Sequence, residues 1–206
     1  IFSKELIDEI IKKDISYNKL NIGNGKKVIV EYPSVNPTKP WHIGHLRNAL
    51  LGDAISNLLE ACGFIVERED YIDDLGLQVA ESIWGFLNIS NDPKGKKFDQ
   101  FLGEQYVEVS RRLENNQELS KQINEILINM EKENSNEAKI RKEITRKCVE
   151  AQYETAFNYD IYHDLLVWES SIVNANLLGS AINLLKEKKA VEMPNDGTYK
   201  GCLVVN

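Results

Sequence analysis

The stretch VIVEYPSVNPTKPWHIGHLRNALLGD at residues 28–53 decides the fold. Its first three residues are β-branched and continuous, which is typical of a strand buried on both faces of a parallel sheet. Three prolines from Pro33 to Pro40 then predict an irregular loop, because proline lacks a backbone donor and fixes its own φ angle. The tetrapeptide HIGH, residues 42–45, follows where this loop meets a predicted helix.

The residues after this tetrapeptide complete a βαβ unit. Apolar residues such as Leu46, Leu50 and Leu58 recur at helical spacing up to about Cys62, and Gly63 is placed for a left-handed helix C-cap. A second strand is expected to begin in residues 64–66. The handedness of βαβ units places the proline-rich loop at the carboxyl end of a parallel sheet, where ligands bind.

Four regions are predicted along the chain. A short amphipathic helix is expected from Ser3 to Leu20, further helices over 75–88 and, with a break at 131–137, over 98–159, and another over 171–188. Strands are expected at 165–168 and at 201–205, the last without a visible partner strand. The predicted regions are a connector helix and loop (1–25), the first βαβ half of an α/β domain (26–90), a mainly helical insertion (91–160), and a return to the sheet of that domain that is truncated at the C-terminus (161–206).

Composition limits the class of protein. The 206 residues are 42% hydrophobic, which is enough for a substantial core. Three widely separated cysteines fit neither a disulfide framework nor a zinc site with close ligand pairs, and no apolar run approaches a membrane span. We therefore expect a soluble, cytoplasmic protein. The net charge of −7 argues against nucleic acid as the main partner, so RNA contacts must be local or lie outside this chain.

The HIGH tetrapeptide is useful because it lies at a helix N-terminus. Backbone N–H groups and the positive end of the helix dipole favour anions there, so a nucleotide phosphate can bind. His42 and His45 add neutral or cationic donors for the same oxygens, and Gly44 lets an adenine ring lie close to the backbone. The alternative, from the tetrapeptide alone, is that both histidines only cap and pack the helix start.

Residues 28–53 closely resemble the first strand and signature helix of arginyl-tRNA synthetases. The resemblance continues in YIDDLGLQ at 71–78, returns in YHDLLVWES at 162–170, and is looser over 98–142. Other class I synthetases share only the short signature, whereas SVNPT at 34–38 looks like the arginine enzymes. The resemblance implies an α/β, Rossmann-like fold of the HIGH-signature nucleotidyltransferases, with a parallel sheet that is incomplete here and a helical insertion.

The resemblance also implies the reaction. Such enzymes activate arginine with ATP to arginyl-adenylate and transfer the arginyl group to tRNA(Arg). ATP is expected as a substrate. Mg²⁺ is expected to arrive bound to ATP, because no dedicated set of metal ligands is visible in the sequence. Most tRNA contacts are expected in regions absent from this chain. Because a doubly wound fold needs a second half, the chain is expected to be a fragment with little or no activity of its own.

By resemblance, His42 and His45 contact ATP around the transferring phosphate, and Gly44 lies beneath the adenine. The family's second signature, a lysine-containing loop, is not in this chain. Some archaeal-type arginine enzymes that lack its lysine resemble this sequence in carrying one just before the histidines. Lys39 is therefore expected to bind ATP and to stabilise the departing pyrophosphate, and the alternative is a solvated loop lysine.

Recognition of arginine requires carboxylate or carbonyl acceptors for the guanidinium. By resemblance, Glu31 and Asn36 bind the substrate arginine with Ser34 nearby, and Gln78 is added because it follows the second strand at the ligand end of the sheet. For Asn36 the alternative is a hydrogen bond that only holds the loop. The pair at 73–74 is more typical of a helix cap than of a binding site.

Two other functions remain open at this stage. One is a self-contained nucleotidyltransferase, because such families also place a histidine pair of this kind at a helix start. The other is a noncatalytic module that keeps the fold in order to bind tRNA or a partner protein.

Overall fold

The computed structural model describes residues 3–14 and 20–205. These residues form two compact units, one ending at Val167 and the other beginning at Trp168. The first helix, α1, spans Lys4–Lys13, and the Ser3 hydroxyl caps it by accepting from the Leu6 backbone N–H at 3.2 Å. The expected helix start is confirmed, but the expected extension to Leu20 is wrong. The helix ends at Lys13, where Asp14 has a positive φ of 47°, and Leu20 is not helical. Residues 15–19 lie outside the described residues.

The first unit contains a three-stranded sheet. Its strands are β1 (Lys27–Glu31), β2 (Ile65–Ile72) and β3 (Leu165–Trp168), in the order β1-β2-β3. β1 and β2 are parallel, with Lys27 opposite Ile65 and Glu31 opposite Glu69. Helix α2 (Ile43–Ala61) connects them, so the expected βαβ unit is confirmed, and Gly63 has the left-handed φ of 85° that the helix end requires.

The expectation that β1 is buried on both faces is wrong. Val30 packs against the buried cluster that contains Ala49 of α2, but Ile29 is 57% exposed, and exposure alternates along the strand. Successive side chains of a strand point to opposite faces, so a helix on one face buries only every second residue. A run of three β-branched residues therefore does not show that both faces of a strand are buried.

One glycine fixes how closely α2 approaches the sheet edge. A Cβ atom at Gly52 would overlap the ring of Tyr32, the residue that follows β1. Tyr32 is 2% exposed and belongs to a small core cluster with Ala49, Ala156 and Ile161. The helix that carries the HIGH tetrapeptide is thereby packed directly against the end of β1.

The remainder of the first unit is helical and has its own core. Its helices are α3 (Leu77–Asn88), α4 (Phe98–Leu113), α5 (Gln117–Met130) and α6 (Asn136–Phe157). The sequence predicted the helical character of residues 98–159 and the break near 131–137, but not the turn at 114–116. The core residues are apolar and almost fully buried, among them Val79, Ile83, Leu102, Val109, Ile123 and Ile144.

The second unit differs from expectation in two ways. The predicted helix over 171–188 is divided into α7 (Glu169–Asn174) and α8 (Leu177–Glu187), because Asn176 adopts a left-handed φ of 52° between them. The last strand has a partner: β5 (Val204–Val205) pairs antiparallel with β4 (Val191–Glu192) in a separate two-stranded sheet. Contrary to the prediction from the sequence, it does not join the three-stranded sheet, and β4 was missed because it has only two residues.

All three cysteines, Cys62, Cys148 and Cys202, are free. Among the described residues, no helix has the length and apolar character needed to cross a membrane.

Candidate functional site

The N-terminus of α2 is built by the two histidines themselves. His42 is the N-cap residue, and its Nδ1 accepts from the backbone N–H groups of Gly44 at 3.0 Å and His45 at 3.4 Å. The Nδ1 of His45 accepts in return from the backbone N–H of His42 at 3.2 Å. The two rings stack with their centroids 3.6 Å apart. The tetrapeptide therefore forms a reciprocal cap in which histidines replace the usual hydroxyl and carboxylate side chains.

This cap determines which ring nitrogens can serve a ligand. Because both Nδ1 atoms accept backbone hydrogen bonds, a neutral ring carries its proton on Nε2. Burial lowers the pKa of His45, and the charges of His42 and Lys39 lower it further. Both histidines thus offer an Nε2–H donor at the positive end of a helix, and the capping role and a ligand-binding role are compatible.

Gly44 is required by this arrangement. A Cβ atom there would lie 2.9 Å from Cε1 of the His42 ring, closer than real Cβ contacts come. The sequence suggested a different reason, close approach of an adenine ring, and that reason stays a prediction.

The four residues expected to bind arginine form two hydrogen-bonded pairs, each with one member on the loop after β1. The Ser34 hydroxyl donates to Glu31 Oε1 at 2.8 Å, and the Asn36 amide donates to Gln78 Oε1 at 2.9 Å. Glu31 and Ser34 are exposed, whereas Asn36 and Gln78 are half-buried. Gln78 lies in the first turn of α3, so the structure brings the ends of β1 and of the β2–α3 connection together at one edge of the sheet.

Behind this loop lies a buried carboxylate that the sequence analysis missed. Asp70 is 3% exposed; its Oδ1 accepts from the backbone N–H of Ser34 at 3.0 Å and its Oδ2 from the hydroxyl of Tyr153 at 3.0 Å. The same hydroxyl contacts Nδ1 of His163 at 3.0 Å. Burial raises the pKa of Asp70 to about 7. An aspartate inside a strand was the sequence signal for this network.

Helix α6 also contacts this loop. The amide nitrogen of Gln152 donates to the backbone carbonyls of Asn36 at 3.1 Å and Lys39 at 2.8 Å. Gln152 is only 2% exposed. Nothing in the local sequence pattern pointed to this residue, because its partners are more than a hundred positions away.

Several other polar side chains have partners within the chain. Asp74 does not cap α3, whose N-cap residue is Gly76 without a side-chain cap; it forms a buried ion pair with Arg141 at 2.7 Å. Lys96 pairs with Glu104 at 2.6 Å, and Lys97 donates to Asp99 and Thr155. Asp164 is tied to β2, because its carboxylate accepts from the Arg68 backbone N–H at 2.8 Å.

The chain matches a family model along nearly its whole length. The model, described as tRNA synthetases class I (R), catalytic domain, matches residues 6–204. Among solved structures, arginyl-tRNA synthetase from Thermus thermophilus superposes with a TM-score of 0.72 at 38% identity, over 87% of this chain and 30% of that one. The Plasmodium falciparum enzyme, at 20% identity and a TM-score of 0.65 over 90% of this chain and 32% of that one, shares the fold.

Curated proteins that are similar to this chain belong to the same family. An arginine–tRNA ligase from Pyrococcus furiosus is 42% identical over 99% of this chain and 34% of its own length. One from Methanococcus maripaludis strain C6 is 38% identical over 93% of this chain and 34% of its own length. The chain therefore spans about a third of the length of these relatives. Together with the reciprocal histidine cap at the carboxyl end of a parallel sheet, these matches show that the chain belongs to the family of class I arginyl-tRNA synthetases, within its catalytic domain.

Proposed function

We propose that this chain carries the ATP-binding and arginine-binding part of an arginine–tRNA ligase. In this reaction a carboxylate oxygen of arginine attacks the α-phosphorus of ATP, arginyl-adenylate forms, and pyrophosphate leaves with the electron pair of the broken bond. A hydroxyl of the terminal ribose of tRNA(Arg) then attacks the arginyl carbonyl carbon and loses its proton, the bond from that carbon to the phosphate oxygen breaks, and AMP leaves with the electron pair. The observation that carries the proposal is the histidine cap, which leaves the Nε2–H groups of His42 and His45 as donors at the start of a 19-residue helix.

The cap suits a phosphate in the transition state. Negative charge gathers on the phosphoryl oxygens during attack, and preorganised donors stabilise it without having to rearrange. The pairing of Nδ1 with the backbone holds each ring in place, so its Nε2–H can donate without losing the cap. Lys39 is close enough for its charge to lower the pKa of His45, which supports a role in stabilising pyrophosphate. Gly44 would lie beneath the adenine, and Mg²⁺ would arrive bound to the ATP phosphates.

The loop after β1 suits the guanidinium of arginine. A guanidinium has five N–H donors in a plane and no acceptor, so its site must supply oxygen atoms. Glu31 supplies the negative charge, and its hydrogen bond from Ser34 fixes the carboxylate orientation. Asn36 and Gln78 are held to each other and add amide oxygens at the same edge of the sheet. We assign Glu31, Ser34, Asn36 and Gln78 to arginine.

The remaining assignments follow from the relatives. The whole protein would act on tRNA(Arg) in the cytoplasm, mostly through regions outside this chain, and this chain alone would have little or no activity.

We retain the division into a connector (1–25), a first βαβ half (26–90), a helical insertion (91–160) and a final region (161–206) as a proposal.

A matched pair of variants separates ligand binding from capping. His42→Asn keeps a good N-cap acceptor but lacks an Nε2–H donor, whereas His42→Ala removes both. In the full-length natural protein, we expect both variants to lose arginine-dependent charging of tRNA by about a hundredfold or more, as removal of one preorganised donor commonly does. We expect the melting temperature to fall only in the alanine variant.

The outcomes are distinct. Normal charging by the Asn variant would mean that His42 only caps the helix. No charging of any tRNA by the folded wild-type protein would contradict the ligase assignment and favour a noncatalytic module.

A further inference from the structure

The loop that carries both Asn36 and Lys39 is held by the helical insertion rather than by the sheet alone. Thr38 and Val35 are 0% and 2% exposed, so this part of the loop is buried although it contains no regular structure. The enclosing elements include α4 and α6, which are far away in sequence. The contacts between loop and insertion therefore determine where Asn36 and Lys39 lie.

The main contact is a single side-chain amide. Gln152 uses one nitrogen to donate to the carbonyl of Asn36 at 3.1 Å and to the carbonyl of Lys39 at 2.8 Å. An amide nitrogen has two hydrogens, so both are used. The orientation is unambiguous, because an amide oxygen in that position would oppose two carbonyl oxygens.

Two further contacts fix the same segment. The Cys148 thiol, one turn earlier on α6, interacts with the Lys39 backbone. On the other side, a Cβ atom added at Gly103 of α4 would lie 3.0 Å from Pro40 Cδ and 3.5 Å from Lys39 Cα. Glycine at this position lets the helix backbone approach the loop closely. The Lys39 segment is thus held between two helices of the insertion.

We propose that Gln152 is a positioning residue of this site, which fixes the spacing between the arginine-binding Asn36 and the ATP-binding Lys39 and so sets the geometry in which the two substrates meet. This inference rests on the proposed function. Gln152 touches neither substrate in it and acts only through the loop backbone. Because reaction rates depend steeply on the alignment of reacting groups, a shift of the loop of about 1 Å is expected to cost up to a hundredfold in rate.

The test is aminoacylation of tRNA by the full-length protein, with arginine and ATP varied separately. Gln152→Met keeps the length of the side chain and removes both donors. We expect KM to rise for both arginine and ATP and kcat/KM for arginine to fall about tenfold or more. Gln122→Met is the control, because the Gln122 side chain accepts from the Trp84 indole at 3.0 Å, away from this loop.

A second measurement separates positioning from general stability. If Gln152 acts through Asn36 and Lys39, its effect should shrink in Asn36→Ala and Lys39→Ala backgrounds, so that the losses are not additive. A Gln152→Met protein with a lowered melting temperature but unchanged KM values, or with fully additive losses, would overturn the proposal. Should this variant fail to fold, Gly103→Ala displaces the same loop from α4, and unchanged KM values for both substrates in it would overturn the proposal equally.

Failure of the inference is distinguishable from failure of the function beneath it. If the wild-type protein charges no tRNA with arginine, both the proposed function and the positioning role are contradicted. If the wild-type protein charges tRNA normally and the Gln152→Met variant is equally active, only the positioning role of Gln152 is contradicted.

Discussion

The carboxylate of Asp70 on β2 accepts a hydrogen bond from the hydroxyl of Tyr153 on α6 at 3.0 Å, so a buried acid of the sheet is bonded to the helical insertion. The second oxygen of the carboxylate receives the backbone N–H of Ser34, which has a left-handed φ of 54°. Neutral donors alone compensate a buried charge poorly. This explains why burial raises the pKa of Asp70 to about 7, with a smaller contribution from the charge of Glu31.

The raised pKa of Asp70 predicts a pH-dependent stability. The folded chain keeps the Asp70 proton up to about pH 7, whereas the unfolded chain releases it near the ordinary pKa of 3.8. The contribution of Asp70 to the free energy of unfolding is therefore greatest below the unfolded pKa and declines until the pH passes the folded pKa. Asp70→Asn removes this titration while keeping groups that can bond Ser34 and Tyr153.

We expect the Asn variant to gain about 2–3 kcal/mol relative to wild type between pH 5 and pH 8. Denaturant unfolding at the two pH values measures the difference, and Asp8→Asn on exposed α1 is the control. A difference between Asp70→Asn and wild type that is the same at both pH values would contradict the prediction.

The buried ion pair between Arg141 and Asp74 predicts a large loss of stability when it is broken on one side. Both side chains are less than a tenth exposed and lie 2.7 Å apart. Arg141→Met leaves the Asp74 carboxylate without its guanidinium, which we expect to cost about 3–5 kcal/mol in the free energy of unfolding. Arg146→Met on the same helix breaks an exposed pair with Glu150 and should cost less than about 1 kcal/mol. Equal losses in the two variants would show that burial does not set the cost.

Two cross-strand neighbours provide a test of arginine recognition. Glu31 and Glu69 are directly opposite each other in the β1–β2 register, but only Glu31 ends its strand beside the Ser34–Asn36 loop. In the full-length protein, Glu31→Gln should raise KM for arginine about tenfold to a hundredfold, because the guanidinium would then bond to a neutral amide oxygen instead of a carboxylate, and should leave KM for ATP nearly unchanged. Glu69→Gln should change neither value. A similar rise in both variants would indicate a general effect of negative charge instead of a contact with the substrate.

The close approach of α2 to Tyr32 makes Gly52 sensitive to a single methyl group. In an exposed helix, Gly→Ala stabilises by about 1 kcal/mol. At Gly52 the added Cβ would overlap the Tyr32 ring, so we expect Gly52→Ala to lower the free energy of unfolding by about 1–3 kcal/mol, the usual cost of overpacking. Thermal and denaturant unfolding measure this. A stabilised variant would mean that the ring can move aside.

The local features of the fold were predictable from the sequence because they depend on neighbours in the chain. Proline spacing marked the loop, apolar spacing marked α2, and Gly63 marked the helix end with its positive φ. The position of HIGH at a helix start followed from the same signals. The reciprocal cap could not be predicted from the sequence, because a histidine pair does not reveal which ring nitrogen bonds to the backbone.

By itself, therefore, the sequence determined the βαβ unit, the loop at its ligand end and the helix terminus that bears two histidines, because hydrophobic period and backbone stereochemistry act over a few residues. Only the tertiary structure decided what surrounds that loop. Asp70 meets Tyr153 across 83 positions and Gln152 meets Asn36 across 116. These contacts depend on how α6 packs against the sheet, and local preferences do not encode the partners of a buried polar group that long-range packing brings together.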